Sequence, residues 1–496
     1  METFWIKAAQ LIVSLSIIIF LHELGHFGFA RLFKTRVDKF YLFFNPLFSL
    51  IRCKKINGKW QYKFFSRNVP DKYRPVKNSM NEVVKDENGK PLMEEIPLEE
   101  LPANDWRQNP ESTEWGIGWL PFGGYCKIAG MIDESMDVEA MKKPAQPHEF
   151  RSQKAWKRLL IITGGVIVNF ITALVIFTMI LFVWGKSYLP MQNAKYGMQF
   201  TEVALKNGFK NGDIILNING QHVENQGDVV EKLLIDKAQS VAIIRDGNDT
   251  TITLPTDFSQ QILAAQSKQF MDPRFPFVID DVVKKSPANS AGLLKGDSII
   301  AINNKPVSIF QDVAQEFSLN KAKIIQLGII RAGAPVTLPV AVDSTGKIGV
   351  YPKAPDAFLT EKTIQYGFLA SIPAGISEGV AKLVTYVKSM KLLFTKAGAT
   401  QIGGFGTIGS LFPPVWDWQS FWTLTAFISL ILAFMNILPI PALDGGYMLF
   451  ILVEMITGRK PSDKFLERAN TIGFFILIAL LLYANGNDII RLFFKH

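Results

Sequence analysis

The chain has 496 residues, of which 48% are hydrophobic and 20% charged, and its net charge is +9. This apolar bias predicts a mixed chain of several membrane spans and soluble modules. The basic residues flank the apolar runs, so the positive charge indicates membrane topology and argues against nucleic-acid binding. Cys53 and Cys126 are the only cysteines, and we expect free thiols, two ligands short of a zinc site.

The first apolar run carries two histidines one helical turn apart. It leads into His22-Glu23-Leu-Gly-His26. On a helix, His22 and His26 share one face, where two imidazoles can bind one Zn²⁺ with Glu23 beside them as a general base. A charged residue at the centre of an apolar span costs about 2.5–3.5 kcal/mol, so the cluster indicates a function. The alternative is an accidental HExxH in an ordinary helix, and the apolar setting argues against it.

A basic segment follows the first helix and predicts that this end is cytoplasmic and the N-terminus outside. Residues 53–110 are polar and form an insertion of unknown purpose. Residues 116–127 mix glycines with aromatic and apolar residues, which predicts a hairpin or loop that dips toward the membrane. Its edge is a candidate for capturing an extended substrate segment; an ordinary surface hairpin is the alternative.

Residues 159–185 are uncharged and long enough for a bilayer crossing of about 20 residues. They form the second predicted span. Within it, Gly164, Gly165 and Asn169 are expected to make helix–helix contacts rather than chemistry.

Residues 186–355 are soluble in character and contain a repeat. Residues 208–223 match residues 292–307 at a constant offset of 84. Each copy predicts a turn, a strand, a tight turn and a second strand, and the pattern resembles the bacterial PDZ domain. PDZ domains bind peptides by strand addition; a spacer that binds no peptide is the alternative.

The last third of the chain contains two more predicted spans. A helix around residues 380–394 lies either at the membrane surface or packed in the periplasm. Residues 418–443 form the third span, which Pro439 and Pro441 must break. Asp444 follows that break and is the candidate third zinc ligand; a helix-cap aspartate is the alternative. Residues 469–487 form the fourth span, with the C-terminus outside.

These motifs together resemble the site-2 protease family and, within it, the bacterial RseP-type regulated intramembrane zinc metalloproteases. The resemblance rests on HELGH in the first span, on Asn436-x-x-Pro-x-Pro-x-Leu-Asp444-Gly in the third, and on the tandem PDZ-like repeats between them. It implies that His22, His26 and Asp444 bind one Zn²⁺ and that Glu23 is catalytic and activates water.

The resemblance also implies how a substrate binds. Asn436 corresponds to a residue that contacts substrate near the metal, and residues 116–127 correspond to a membrane-associated β-loop that pairs with an unwound substrate. The expected substrate-binding residues in that loop are Gly123, Gly124 and Tyr125. Departures from the family pattern lie at residues 40–46, at residues 164–169 and in the long stretch 53–110.

The expected fold is a polytopic α-helical membrane protein with about four spans, a membrane-associated β element and two tandem PDZ domains of α+β type. The expected divisions are the first transmembrane helix (1–30), a cytoplasmic segment with the β-loop (31–156), the second helix (157–185), two PDZ domains (186–270 and 271–355), a periplasmic amphipathic and glycine-rich segment (356–417), the third transmembrane segment (418–458), and a cytoplasmic loop with the fourth helix and C-terminus (459–496).

The expected function is zinc-dependent intramembrane cleavage of single-span membrane proteins, either an anti-sigma factor or a remnant signal peptide, after a prior cut. The expected location is the bacterial inner membrane, with the active site toward the cytoplasm and the PDZ domains in the periplasm. Expected partners are the substrate, the bilayer and peptide C-termini at the PDZ domains. A membrane-anchored PDZ scaffold with an inactive metal site is the alternative, and a transporter fits less well because no inverted repeat is present.

Overall fold

The computed structural model describes residues 2–67, 73–76, 78, 82–84, 91–97, 100–101, 105–131, 144–236, 238–265, 270–393, 395 and 402–494. Parts of the 53–110 insertion lie outside the described residues. So do residue 394 at the end of the predicted amphipathic helix and residues 396–401 of the glycine-rich connection.

Among the described residues the helices are α1 (Glu2–Leu32), α2 (Ala155–Val183), α3 (Glu202–Lys206), α4 (Gln226–Leu234), α5 (Phe258–Ala264), α6 (Pro287–Ser290), α7 (Phe310–Leu319), α8 (Phe368–Leu393), α9 (Phe405–Leu411), α10 (Trp418–Ile437), α11 (Asp444–Thr457) and α12 (Asp463–Phe494). Four of the described helices, α1, α2, α10 and α12, are long and apolar enough to cross a membrane. This agrees with the predicted number of spans.

The strands of the described residues are β1 (Val37–Phe44), β2 (Phe48–Ile56), β3 (Lys59–Arg67), β4 (Tyr73–Pro75), β5 (Met93–Glu95), β6 (Glu114–Ile117), β7 (Leu120–Ile128), β8 (Lys186–Tyr188), β9 (Met198–Phe200), β10 (Ile214–Ile218), β11 (Gln221–His222), β12 (Ser240–Arg245), β13 (Asn248–Thr253), β14 (Met271–Pro273), β15 (Ile279–Val282), β16 (Ser298–Ile302), β17 (Lys305–Pro306), β18 (Ile324–Arg331), β19 (Ala334–Ala341), β20 (Val350–Pro352) and β21 (Lys362–Ile364).

The chain divides into two units. The first contains residues 1–183, 367–383 and 403–496, and the second contains residues 184–366 and 384–402. The membrane-spanning candidates and the first sheet belong to the first unit, and both repeats belong to the second. Helix α8 begins in the first unit and ends in the second.

Helices α1, α2 and α10 of the first unit pack closely. A Cβ atom added to Gly25 of α1 would lie 2.3 Å from the carbonyl oxygen of Gly164 in α2, so the two backbones touch. Small residues allow such close approach between helices in lipid. The hydroxyl groups of Thr425 in α10 and Ser14 in α1 share a buried hydrogen bond of 3.0 Å. The expected helix–helix contact at Gly164 is therefore present.

A five-stranded sheet follows α1, in the order β3-β2-β6-β1-β7. Strand β1 lies between β6, which runs parallel to it, and β7, which runs antiparallel. The hairpin interpretation of residues 116–127 is therefore wrong, because β6 and β7 pair with β1 and not with each other. The two strands are kept apart by their connection at Gly118, which crosses the end of β1. The Gly118 N–H donates to the Leu42 carbonyl there at 2.8 Å.

The two faces of this sheet differ in chemistry. On one face, the Phe40 ring packs edge-on against Phe20 and Phe27 of α1. On the other, the buried Tyr41 hydroxyl donates to Glu114 at 2.5 Å. Burial, together with the Glu114 carboxylate, raises the pKa of Tyr41 above its usual value, so the phenol keeps the proton that it donates.

The second unit contains two similar modules, each with a four-stranded sheet. The orders are β11-β10-β12-β13 and β17-β16-β18-β19. The tight turns that the repeat predicts are present, with positive φ at Asn219 and Gly220 and again at Asn303 and Asn304. A buried carboxylate occupies the same place in each module and accepts hydrogen bonds from an arginine: Asp213 from Arg245 and Asp297 from Arg331.

Candidate metal centre

Three side chains from distant parts of the sequence converge in the first unit. The Nε2 atoms of His22 and His26 are 3.2 Å apart, and Oδ2 of Asp444 lies 3.3 Å from the first and 3.5 Å from the second. Two ligands of one tetrahedral Zn²⁺, each at about 2.0–2.1 Å, are about 3.3–3.4 Å apart. The three atoms therefore have the spacing of three ligands of one tetrahedral ion.

The sequence around Asp444 explains its position. Helix α10 ends at Ile437, and the segment with two prolines turns the chain before α11 begins at Asp444. Glycine is required directly after Asp444, because a Cβ atom on Gly445 would lie 2.1 Å from the Leu438 carbonyl oxygen. The N-cap of α11 is Leu443, without a side-chain capping bond, so the helix-cap alternative for Asp444 does not hold.

The Oδ2 atom of Asp444 is buried and faces the Nε2 atoms of His22 and His26, without a hydrogen bond of regular geometry among the described residues. A buried carboxylate oxygen without such a bond is costly. A cation bound between Asp444 and the two histidines would satisfy it, and two imidazoles with one carboxylate form a donor set of catalytic zinc sites. The residues present therefore fit a zinc ion.

The ring of His26 is fixed by a backbone contact. Its Nδ1 lies 2.9 Å from the carbonyl oxygen of Ile161 in α2. A carbonyl oxygen only accepts, so Nδ1 carries the hydrogen and donates it, which leaves the lone pair of Nε2 directed at the cluster. This is the second contact that metal-binding histidines usually make.

Two residues of α2 that we expected to serve packing alone lie against the histidines. A Cβ atom on Gly165 would lie 2.5 Å from both Cε1 of His22 and Nε2 of His26. The buried amide of Asn169 lies 3.2 Å from Nδ1 of His22. Sequence reasoning missed both roles, because neither residue belongs to a ligand motif and a uniformly apolar helix does not show which face meets α1.

Glu23 lies beside the edge strand β7. The backbone N–H of Cys126 in β7 donates to the Glu23 carboxylate. A Cβ atom on Gly124 would lie 2.9 Å from Cγ2 of Ile19 and 3.5 Å from Cγ of Glu23. The absent side chain of Gly124 is what allows β7 to approach α1 this closely. The structure therefore brings Glu23 and this strand together.

The other expected substrate-binding residues occupy different positions. The Asn436 amide lies 3.4 Å from Nε2 of His22, at the cluster. Gly123 has a φ of +146° and lies under the Phe44 ring. The Tyr125 side chain stacks on Tyr41, on the face of the sheet opposite α1, so this side chain does not face Glu23.

Comparison with known protein families decides the class of this site. The family model described as "Peptidase family M50" matches residues 10–66 and 101–480, and these ranges include both histidines and Asp444. The chain belongs to peptidase family M50. This M50 peptidase is a metalloprotease of the site-2 type, as the sequence motifs predicted. Residues 67–100, which lie within the 53–110 insertion, are outside the match.

Curated relatives of this M50 peptidase are similar over most of their length. Protease RseP of Yersinia pestis is 25% identical over 518 residues, covering 99% of this chain and 100% of the relative. Regulator of sigma-E protease RseP of Escherichia coli is 24% identical, with coverage of 99% and 100%. A protein of Neisseria meningitidis whose name includes zinc metalloprotease is 25% identical, with coverage of 77% and 88%.

Proposed function

We propose that this protein is a zinc-dependent intramembrane endopeptidase that cleaves single-span membrane proteins. The observation that carries the proposal is the cluster of His22, His26 and Asp444, with Glu23 beside both the cluster and an edge strand. The relatives named as zinc metalloproteases support zinc as the metal.

His22, His26 and Asp444 would hold one Zn²⁺. Such an ion would polarise the scissile carbonyl and would lower the pKa of a bound water from 15.7 to about 7. With three protein donors, the ion would still be able to bind a water or the substrate. The site lies among helices that are apolar enough to span a membrane, which supports hydrolysis within the bilayer.

Glu23 is the proposed general base and acid. It takes a proton from the attacking water and delivers it to the leaving amine, as a carboxylate in reach of both can do. The N–H of Cys126 and the packing of β7 hold the Glu23 side chain in place before substrate arrives. This orientation is the contribution of the sheet to the reaction.

Strand β7 is the proposed binding edge for substrate. It pairs with β1 on one side and, within the described residues, with no strand on the other. A peptide bond inside a helix is inaccessible, so a transmembrane substrate must unwind, and an extended segment can add to a sheet edge. Backbone groups at Gly123, Gly124 and Tyr125 supply that edge, and Asn436 contacts substrate near the ion.

The proposed substrates are an anti-sigma factor or a remnant signal peptide already cut once. The proposed location is the bacterial inner membrane, with the metal site toward the cytoplasm and the two modules of the second unit in the periplasm. These modules are proposed PDZ domains that screen substrates and bind peptide C-termini. Their duplicated sheets and turns support this proposal.

The test is co-expression of a single-span model substrate with wild-type and variant protein. Wild-type protein should release the product and contain about one zinc per chain. Glu23→Gln should abolish cleavage and retain zinc, because it removes the base and no ligand. Asp444→Asn should lose both, whereas His222→Gln, a histidine in the first module, should change neither.

Two outcomes contradict the proposal. Full cleavage by Glu23→Gln protein removes Glu23 from the mechanism. A folded wild-type protein with almost no zinc and no product supports the scaffold alternative instead.

A further inference from the structure

We propose that the side-chain amide of Asn169 is the hydrogen-bond acceptor that positions His22 for metal binding. This inference rests on the proposed zinc site. Asn169 lies in the second span, is 1% exposed, and approaches Nδ1 of His22 at 3.2 Å. It is a positioning residue, because it touches a ligand and not the reacting atoms.

The two histidines need the same arrangement of ring hydrogens. Each faces the cluster with Nε2, so each must present the Nε2 lone pair to a bound ion and carry its hydrogen on Nδ1. His26 has an acceptor for that hydrogen in the Ile161 carbonyl. For His22, the group at that place is the Asn169 amide.

The amide has two orientations with opposite consequences. In the structure its nitrogen faces His22, so the amide donates to Nδ1 and the ring hydrogen belongs on Nε2, 3.3 Å from the Asp444 carboxylate. Rotating the amide by 180° brings Oδ1 to Nδ1 and frees Nε2 for an ion. The rotated orientation is therefore the one that suits the metal-bound enzyme.

A buried orphan atom supports the rotation. Oδ1 of Asn169 has no hydrogen-bond partner in the part of the chain that the structure describes. A buried polar atom without a partner costs about 1–3 kcal/mol. In the rotated orientation, Oδ1 accepts from the Nδ1–H of His22, and the amide nitrogen takes the position that Oδ1 leaves.

The backbone of Asn169 is held independently of its side chain. Ser429 of α10 donates a hydrogen bond of 2.8 Å to the Asn169 carbonyl oxygen. This contact fixes the backbone of Asn169 and leaves the side-chain amide free to rotate. It also provides a matched control, because removing the Ser429 hydroxyl disturbs the packing of Asn169 and not its amide.

The experiment is zinc affinity by chelator competition on full-length protein in detergent. Asn169→Leu removes the acceptor at similar volume and should bind zinc about 10- to 100-fold more weakly. Asn169→Asp keeps an acceptor and has no donor, so it should bind within about threefold of wild type or more tightly. Ser429→Ala should match wild type, and each variant is compared by thermal unfolding.

Each result decides the proposal. Wild-type affinity in Asn169→Leu overturns it. So does an Asn169→Asp protein that is folded and as weak as Asn169→Leu, because the amide then acts as a donor or a spacer. Loss of affinity in Ser429→Ala equal to that in Asn169→Leu assigns the effect to packing and also overturns it. Absence of zinc from wild type is a failure of the proposed function and is distinguished at the first measurement.

Discussion

Replacing Gly165 with alanine should place a methyl group in the candidate metal centre. The added Cβ atom would lie 2.5 Å from Cε1 of His22 and 2.5 Å from Nε2 of His26. Ordinary contacts begin at 3.4 Å, so the overlap is about 0.9 Å on each ring, far inside the range where carbon atoms attract. One ring must move, and for His26 the crowded atom is the proposed metal ligand Nε2.

The size of the effect follows from the cost of an added methyl group in a packed interior. Such overpacking costs about 1–3 kcal/mol. If that cost falls on the metal-binding arrangement, zinc affinity drops about 5- to 150-fold, because about 1.4 kcal/mol is tenfold. Chelator competition measures the affinity, and cleavage of the single-span substrate should fall in parallel.

Two glycines are matched controls. Alanine at Gly164 meets the Gly25 backbone at 2.6 Å and disturbs helix packing one residue from the rings. Alanine at Gly28, on α1, meets no atom within 4 Å and should leave zinc affinity unchanged. Gly164→Ala should lower the unfolding temperature and alter zinc affinity less than Gly165→Ala.

The reasoning is refuted by either of two results. Gly165→Ala protein with wild-type zinc affinity would mean that the rings and α2 are not in contact when metal binds. Equal loss of zinc in Gly164→Ala and Gly165→Ala would mean that helix separation, and not the methyl group at the ligands, causes the effect.

Two further predictions concern the sheets. Gly124→Ala places Cβ 2.8 Å from the Tyr41 carbonyl oxygen and 2.9 Å from Ile19. It should therefore slow substrate cleavage about tenfold, the effect of about 1.4 kcal/mol, and leave the zinc content unchanged. Unchanged cleavage would argue against β7 as the binding edge. In the second module, burial opposes the charge of Asp297, but hydrogen bonds from Arg331 and a backbone N–H outweigh this effect and lower the pKa of Asp297 below the usual 3.8. The pairing of Asp297 with Arg331 therefore stabilises the folded module above pH 3.8, and this stabilisation is lost as the pH falls through the lowered pKa. Arg331→Met should therefore speed hydrogen exchange of residues 298–331 in the full-length protein at pH 7, with the difference from wild type shrinking below pH 3.8, and a constant difference would refute the pairing.

The residues of the candidate metal centre that belong to short sequence motifs could be predicted from the sequence. The helical spacing of His22 and His26 and the helix break before Asp444 are local signals, and both kinds of element are present as expected. The repeat likewise predicted the paired turns, because turn-forming residues occur in both copies at a constant offset of 84 residues. The number of spans followed from apolar runs alone.

The parts that depend on long-range pairing could not be predicted. The sequence of residues 116–127 reads as a hairpin because its two halves are adjacent, and nothing local indicates that β1 inserts between them. The roles of Gly165 and Asn169 depend on which face of α2 meets α1. That helix is apolar on every side, so hydrophobic periodicity carries no information about its orientation.

The interface between α1 and α2 explains why ionisable residues persist in an apolar span. Helices in lipid gain little from hydrophobic burial, so their association depends on close packing of small residues and on hydrogen bonds. Gly25 against Gly164 supplies the close packing, and His26 to the Ile161 carbonyl supplies a hydrogen bond in the same turn. The contact that holds the helices together is thus also the contact that orients His26, a proposed metal ligand. It follows that enlarging Gly164 acts mainly on the packing of the two helices, whereas enlarging Gly165, the next residue, acts mainly on metal binding.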